Sequence, residues 1–173
     1  MLDRQIARRA TGSGSSAQVI KVDTNHCLGS CGPVLVLVWR RESTRSAVMD
    51  AMRAVQALRA LHPGGLGIIV VVEPTAAPPS GEIRRALAET LGSLGPVVKR
   101  SALVHEGTGF RAAAVRAVVT GLSAIAQQPY PHQVFDSVDL AATWVMQGLP
   151  REATSAEELR EAIGALRGHQ VTT

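Results

Sequence analysis

Aromatic residues are scarce in this chain of 173 residues, which contains two Phe, two Trp and one Tyr. Protein-binding hot spots and platforms that stack on nucleic-acid bases usually use more aromatic surface than this. The core must therefore be aliphatic, built from Val, Leu, Ile and Ala.

Lysine is equally scarce, because Lys21 and Lys99 are the only two and the other basic residues are arginines. The formal net charge is +4, but the arginines are spread along the chain, and most share a segment with acidic residues. A nucleic-acid-binding protein usually concentrates its basic residues on one face. We therefore expect no nucleic-acid partner.

The chain also lacks an apolar run of the roughly 20 residues that cross a bilayer. Its N-terminal stretch, MLDRQIARRATGSGSS, has basic residues but no hydrophobic segment behind them, so it does not resemble a secretory signal. We expect a cytoplasmic protein with no membrane partner. Its two cysteines, Cys27 and Cys31, should then be reduced thiols.

Three regions are expected from composition and length. Residues 1–17 contain the linker-like TGSGSSA and are predicted to form a flexible arm. Residues 18–150 have the length of one domain. Residues 151–173 are predicted to form an amphipathic helix and a tail, and this helix could pack on the domain or on a partner.

The pattern of apolar residues predicts an α/β fold. In residues 17–25, apolar and polar residues alternate as they do in a strand. The segment VLVLVW at 34–39 is apolar on both faces, as in a buried strand. Between them, HCLGSCGP at 26–33 contains turn formers typical of a hairpin connection. Alternating helices and strands follow. We predict a single mixed sheet, with an N-terminal antiparallel hairpin and then parallel β-α-β units, and with helices packed on it.

Helix starts are indicated by capping residues. Ser43 or Thr44 can cap the first helix, Ser80 the second, and Ser155 with Glu158 forms a capping-box pattern before the last. In the short helix within DLAATWVMQGLP, we expect the larger apolar side chains to face inward, namely Leu140, Trp144 and Val145.

The segment HCLGSC contains three soft metal ligands in six residues, His26, Cys27 and Cys31. A structural zinc site needs four ligands, and the other histidines lie in distant segments. A turn could also bring the two cysteines close enough for a disulfide. We favour the simpler interpretation, two small residues in a hairpin, and we expect no metal and no cofactor.

His105 and Glu106 lie at the end of VVKRSALVHEG, residues 97–107, which is predicted to be the third long strand; catalytic groups of open α/β sheets collect at such strand ends. Neighbours in a strand point to opposite faces, which disfavours an acid-base pair. The chain also has no G-x-S-x-G, Walker A or H-E-x-x-H motif. We expect a protein that is not an enzyme.

The stretch EGTGFR, at residues 106–111, could bind an anion. Gly107 and Gly109 allow close approach of the backbone, Thr108 lies between them, and Arg111 supplies charge beside a helix N-terminus. The same residues are what a tight strand-to-helix turn requires. We favour the turn and keep a small-anion or nucleotide site as the alternative.

Two stretches, VVVEPTAAPPSGEIRRAL and HQVFDSVDLAATWV, resemble the STAS domain, the fold of bacterial anti-sigma-factor antagonists and SpoIIAA-like modules. Ser80 and Gly81 match the Ser-Gly at the family's regulatory helix start. Pro78 and Pro79 replace the preceding acidic residue and first serine. The resemblance implies a regulatory module that docks on a regulator, kinase or scaffold, or on itself, through a surface that we expect to include these four residues and Arg84.

Overall fold

The computed structural model describes residues 17–106, 129–151 and 154–169. These residues contain six strands and four helices. The strands are β1 (Gln18–Val22), β2 (His26–Cys31), β3 (Val34–Trp39), β4 (Leu66–Val72), β5 (Val98–Val104) and β6 (His132–Phe135). The helices are α1 (Arg45–Leu61), α2 (Gly81–Ser93), α3 (Val138–Met146) and α4 (Ala156–Gly168).

The strands form one sheet in the order β1-β2-β3-β4-β5-β6. β1, β2 and β3 pair antiparallel, whereas β3, β4, β5 and β6 pair parallel. The α/β class and the mixed sheet, antiparallel first and parallel later, are therefore confirmed. The parallel connections through α1 and α2 place both helices on the same face of the sheet, as crossovers of one hand require.

The predicted hairpin connection at residues 26–33 was wrong, because most of it is strand β2, which is fully buried. The turns lie at its two ends. The Asp23 carboxylate accepts the N–H groups of Asn25 and His26 at 2.7 and 2.8 Å, which closes the first turn. Gly32, with φ of 51°, forms the second. Strand β2 therefore separates β1 from β3.

Gly29, which looked like a turn former, is a packing residue of β2. A Cβ there would lie 2.5 Å from Leu166 Cδ2 and 2.7 Å from the Gln18 carbonyl oxygen. The glycine lets α4 approach the sheet closely, a role that the local sequence does not reveal.

The predicted caps are present. Thr44, rather than Ser43, caps α1 by accepting the Ala47 N–H. Ser80 caps α2, and Ser155 and Glu158 form both halves of a capping box at α4. Each cap satisfies a backbone donor that the first helical turn leaves free.

One face of the sheet is covered by α3 and α4 and is called the α3/α4 face. Its core consists of aliphatic and thiol side chains from β2, β3, β4 and β5 packed against the buried residues of the two helices. In α4 these are Leu159, Ala162, Ile163 and Leu166, all at most 3% exposed. The apolar side of α4 is thus used within the chain itself.

The inward face of α3 differs from the prediction. Val145 is buried, but Leu140 is 57% exposed and Trp144 is only partly buried. The buried positions are the small residues Ala141 and Ala142. Small side chains let α3 lie close to the sheet, so the larger leucine is left on the outside.

The opposite face is covered by α1 and α2 and is called the α1/α2 face. α1 buries six residues, whereas α2 buries only Ala88. Ile83, Leu87 and Leu91 form an apolar stripe along α2, but they are only partly buried. This helix therefore contributes little to the core.

Candidate functional site

The loop at residues 73–80, which leads from β4 to α2, is fixed to the end of β3. The Glu73 N–H donates to the Trp39 carbonyl at 2.9 Å, and the Ala77 N–H donates to the Arg41 carbonyl at 2.7 Å. The Thr75 hydroxyl donates to the Arg40 carbonyl at 2.7 Å. These bonds hold the loop at the carboxyl edge of the parallel strands, where ligands of open α/β sheets usually bind.

The predicted regulatory residues lie together at the end of this loop and the start of α2. We call them the α2-entry surface. Apart from the partly buried Pro79, they are exposed: Pro78, Pro79, Ser80, Gly81 and Arg84. Because proline restricts φ and the loop is anchored at β3, this surface has a defined shape before anything binds to it.

Ser80 is both exposed and structural. Its hydroxyl oxygen accepts the Ile83 N–H at 3.3 Å, so the side chain lies at the positive end of the α2 dipole. Glu82 in the first turn pairs with Arg45 of α1 at 3.2 Å, and both side chains are largely exposed. Such an exposed pair stabilises the fold little.

A cavity of about 140 Å³ lies behind the α2-entry surface, between α1, α2 and the sheet. Pro78 and Pro79 form part of its lining, so the loop belongs both to the outer surface and to the cavity. The floor is formed by side chains of β3, β4 and β5, and one side is formed by Leu87 and Leu91 of α2. The incomplete burial of α2 follows from this space beneath it.

A charged cluster lies at the carboxyl ends of the parallel strands, on the side of the α3/α4 face. The Arg167 guanidinium of α4 donates two hydrogen bonds to the Glu73 carboxylate, at 2.6 and 2.8 Å, and one to Glu106 at 2.6 Å. Arg40 donates to the carbonyl oxygens of Leu166 and Arg167 at 3.0 and 3.2 Å. These contacts fasten the end of α4 to the ends of β3, β4 and β5.

Arg40, Glu73 and Arg167 also line an open groove. Their hydrogen bonds are made within the protein, so this cluster has a structural role that accounts for all three residues. Bidentate arginine-carboxylate pairs of this kind are strong and directional.

His105 and Glu106, considered above as an acid-base pair, make separate contacts. The His105 ring is buried, and its Nδ1 lies 3.0 Å from the Val72 carbonyl oxygen. Glu106 contacts Arg167 through one oxygen, and its other oxygen accepts the Val138 N–H at 3.5 Å. The two side chains do not act on a common position.

The cysteines lie on β2 as buried thiols that form no disulfide. Four residues along a strand separate their backbones by about 13 Å, well beyond the span of a disulfide. Burial raises the pKa of the Cys27 thiol, so it stays protonated. Both cysteines belong to the α3/α4 core, whereas the His26 ring contacts Trp39, which packs on the other face. The three do not converge as metal ligands.

The alternative anion site, Gly107, Thr108, Gly109 and Arg111, lies outside the described residues. Within residues 17–106, 129–151 and 154–169, no group of three or more His, Cys, Asp or Glu side chains is placed to hold a metal ion. None of the helices in that part of the chain is long and apolar enough to cross a membrane.

Two groupings were not found from the sequence. Glu73 and Arg167 are 94 residues apart, and Ser101 and His132, which meet beside the cavity, are 31 apart. Ser101 and His132 face each other in the register of β5 and β6. The sequence showed only that Glu73, Ser101 and His132 lie in or beside predicted strands and that Arg167 lies in the predicted last helix, which does not reveal their partners.

Comparison with known proteins adds no relative: no protein-family model, no curated protein and no solved structure matches this chain.

Proposed function

We propose that this chain is a non-catalytic, STAS-like regulatory module of the cytoplasm that docks on a protein partner through the α2-entry surface. The partner would be a regulator, a kinase or a scaffold protein, and a second copy of the chain is the other candidate. The resemblance of the segment around Ser80 and Gly81 to the family's regulatory helix start motivates this assignment.

One observation carries the proposal: Ser80 is exposed at the N-terminus of α2, in a loop held rigidly against β3. A preformed loop loses little conformational entropy on binding, which favours recognition by a partner. Arg84 is exposed on the first turn of the same helix and offers a positive charge beside the serine.

Ser80 also offers a means of control. Phosphorylation would place negative charge at the positive end of the helix dipole, where the fold tolerates it. The same charge would change the electrostatic complementarity of the surface toward a partner. The module would then be switched without being unfolded.

The test compares two arginine variants of the whole chain as baits in cell extract from the native host. Arg84→Glu reverses charge on the α2-entry surface. Arg59→Glu makes the same change in the last turn of α1. Because α1 runs antiparallel to its flanking strands, this turn lies at the amino ends of the parallel strands, away from the α2-entry surface. Proteins recovered with the wild type are identified by mass spectrometry, and the affinity of each purified candidate is then measured by calorimetry.

We expect Arg84→Glu to weaken the partner's binding roughly tenfold or more, about 1.4 kcal/mol, and Arg59→Glu to leave it unchanged. Sedimentation velocity distinguishes self-association from a separate partner. Equal binding by all three proteins would contradict the proposed surface. Turnover in a broad substrate screen would contradict the non-catalytic assignment.

A further inference from the structure

The cavity on the α1/α2 face is almost wholly apolar. Among the described residues, its lining contains no acidic residue, no lysine and no arginine. Strand β3 supplies Leu35 and Leu37, and strand β4 supplies Ile68 and Val70. An apolar cavity of about 150 Å³ in another protein binds benzene. The space here, about 140 Å³, is therefore of a size that holds a small apolar molecule.

The polar residues among the described lining are Ser43, Thr90, Ser101 and His132, and the last two form a pair. Ser101 of β5 is 1% exposed, and its hydroxyl lies 3.2 Å from Nδ1 of His132 on β6. The other ring nitrogen, His132 Nε2, is buried and makes no hydrogen bond with the described part of the chain. A buried polar atom left without a partner is costly, and such atoms in native proteins usually meet a ligand, an ion or water.

The histidine is suited to an uncharged partner. Burial lowers the pKa of His132, so the imidazole is neutral at physiological pH. A neutral imidazole can donate or accept at Nε2 according to its tautomer. A hydroxyl group satisfies either requirement, whereas a carboxylate or an ammonium group would enter an apolar cavity without a countercharge.

We propose that this cavity binds a small uncharged amphiphile, with its apolar body between α1, α2 and the sheet and a single hydroxyl or phenol group on His132 Nε2. The size of the cavity sets the size of the ligand, and the Ser101-His132 pair sets its polar group. This inference is independent of the proposed docking function, because it uses only the cavity and its lining.

The test uses three probes of matched shape: 4-propylphenol, propylbenzene and 4-propylbenzoate. Their affinities for the whole chain are measured by ligand-observed NMR, while the His132 imidazole resonances of the protein are followed. We expect 4-propylphenol to bind about tenfold more tightly than propylbenzene, since one buried hydrogen bond separates them. We expect 4-propylbenzoate to bind more weakly than either.

Two variants locate the site. His132→Phe should keep propylbenzene binding but reduce the preference for the phenol to about twofold or less, while the matched change His169→Phe, at an exposed position outside the cavity, should preserve it. Ala51→Leu narrows the cavity from α1 and should weaken both neutral probes at least tenfold. Cooperative urea unfolding checks that each variant is folded. If His132→Phe does not fold, the affinities measured with Ala51→Leu alone decide whether the probes bind in the cavity.

Several results would overturn the proposal. The first is that 4-propylphenol does not bind to the wild-type protein at any concentration up to the solubility limit of the phenol. An unchanged phenol preference in His132→Phe is another, because it would place the phenol elsewhere. Benzoate binding as tight as phenol binding would contradict the uncharged head group.

Discussion

Two helices of equal length, α4 and α2, pack on opposite faces of the sheet to different degrees. On the α3/α4 face, Leu159, Ile163 and Leu166 of α4 are completely buried, and a glycine at position 29 lets that helix approach the strands. On the α1/α2 face, α2 has the same length of 13 residues but buries one alanine and stands over a cavity. The α1/α2 face has a buried core of its own, built by α1 and the strands, so the contrast lies between the two helices: α4 completes a tight core, whereas α2 leaves room beneath it.

The electrostatic contacts of α4 and α2 also differ. The end of α4 is fastened by hydrogen bonds from Arg167 to two carboxylates and from Arg40 to backbone carbonyls. In the part of the chain that the structure describes, the loop before α2 is anchored to β3, and the first turn of α2 adds the Ser80 cap and the exposed ion pair of Glu82 with Arg45. The body of α2, which buries only Ala88, can adjust when a ligand binds beneath it.

The largest expected effect comes from a matched pair of leucine truncations. Leu159→Ala, on the α3/α4 face, should lower the free energy of unfolding by about 3 kcal/mol, because a fully buried leucine leaves a cavity. Leu87→Ala, in the half-buried stripe of α2, should lower it by only about 1 kcal/mol, since its side chain already borders open space. Urea unfolding measures both values. Equal losses would remove the contrast between the faces.

The next effect concerns the fastening of α4. Arg167→Ala should lower the free energy of unfolding by about 2 kcal/mol, because it leaves Glu73, a mostly buried carboxylate, without its charged donor. Arg167→Lys should recover only part of the loss, since an ammonium group cannot form the bidentate pair. Arg160→Ala, which breaks the exposed pair with Asp139, is the control and should change stability by less than about 0.5 kcal/mol. A similar loss in both alanine variants would contradict the structural role of Arg167.

Acidification should act mainly on the α1/α2 face. Burial lowers the pKa of His26 below 6.5, although Asp23 partly opposes this, and burial also lowers the pKa of His132. The unfolded chain then binds protons more readily than the folded one, so stability is full above pH 6.5 and falls as the pH drops below it. Glu158, whose pKa is lowered by the Ser155 N–H, loses its contribution only at lower pH.

Urea unfolding at pH 7.5, 6.5 and 5.5 tests this direction. We expect His132→Phe to lose less stability between pH 7.5 and 5.5 than the wild type does. His169→Phe, at an exposed position, should retain the wild-type pH dependence. A stability that rises on acidification over this range would contradict the assignment.

The smallest effect is expected at Ser80. Ser80→Ala removes the cap and should cost about 1 kcal/mol, whereas Ser80→Asp keeps an acceptor for the Ile83 N–H and should change stability by less than about 0.5 kcal/mol. Ser155→Asp makes the same substitution at the cap of α4 and serves as the matched control. Thermal unfolding measures all three. A loss from Ser80→Asp as large as that from Ser80→Ala would exclude a charge switch at this position.

Much of the fold followed from local signals. The caps Thr44, Ser80 and Ser155 act within one helical turn, so the sequence alone predicted where three helices begin. β2 was missed because Gly29, Gly32 and Pro33 have the composition of a turn, while the reason for Gly29 is the approach of Leu166 from 137 residues away. Leu140 was misplaced because Ala141 and Ala142, not the largest side chains, determine how closely α3 packs.

The candidate site was predictable only in its outer part. Pro78, Pro79 and Ser80 are consecutive, and their loop and cap chemistry is visible in the sequence. The cavity is a space between elements that are distant along the chain, so no local pattern indicates it. Ser101 and His132 become partners only through the pairing of β5 with β6, which follows from the complete sheet.

Hydrogen exchange, measured residue by residue with and without 4-propylphenol, tests most directly whether the loosely packed face is the binding face. In the free protein, we expect the amides of α2 to exchange roughly 100-fold faster than those of α4, and the phenol to slow exchange in α2 but not in α4. Equal protection of the two helices, or protection by the phenol confined to α4, would contradict the account.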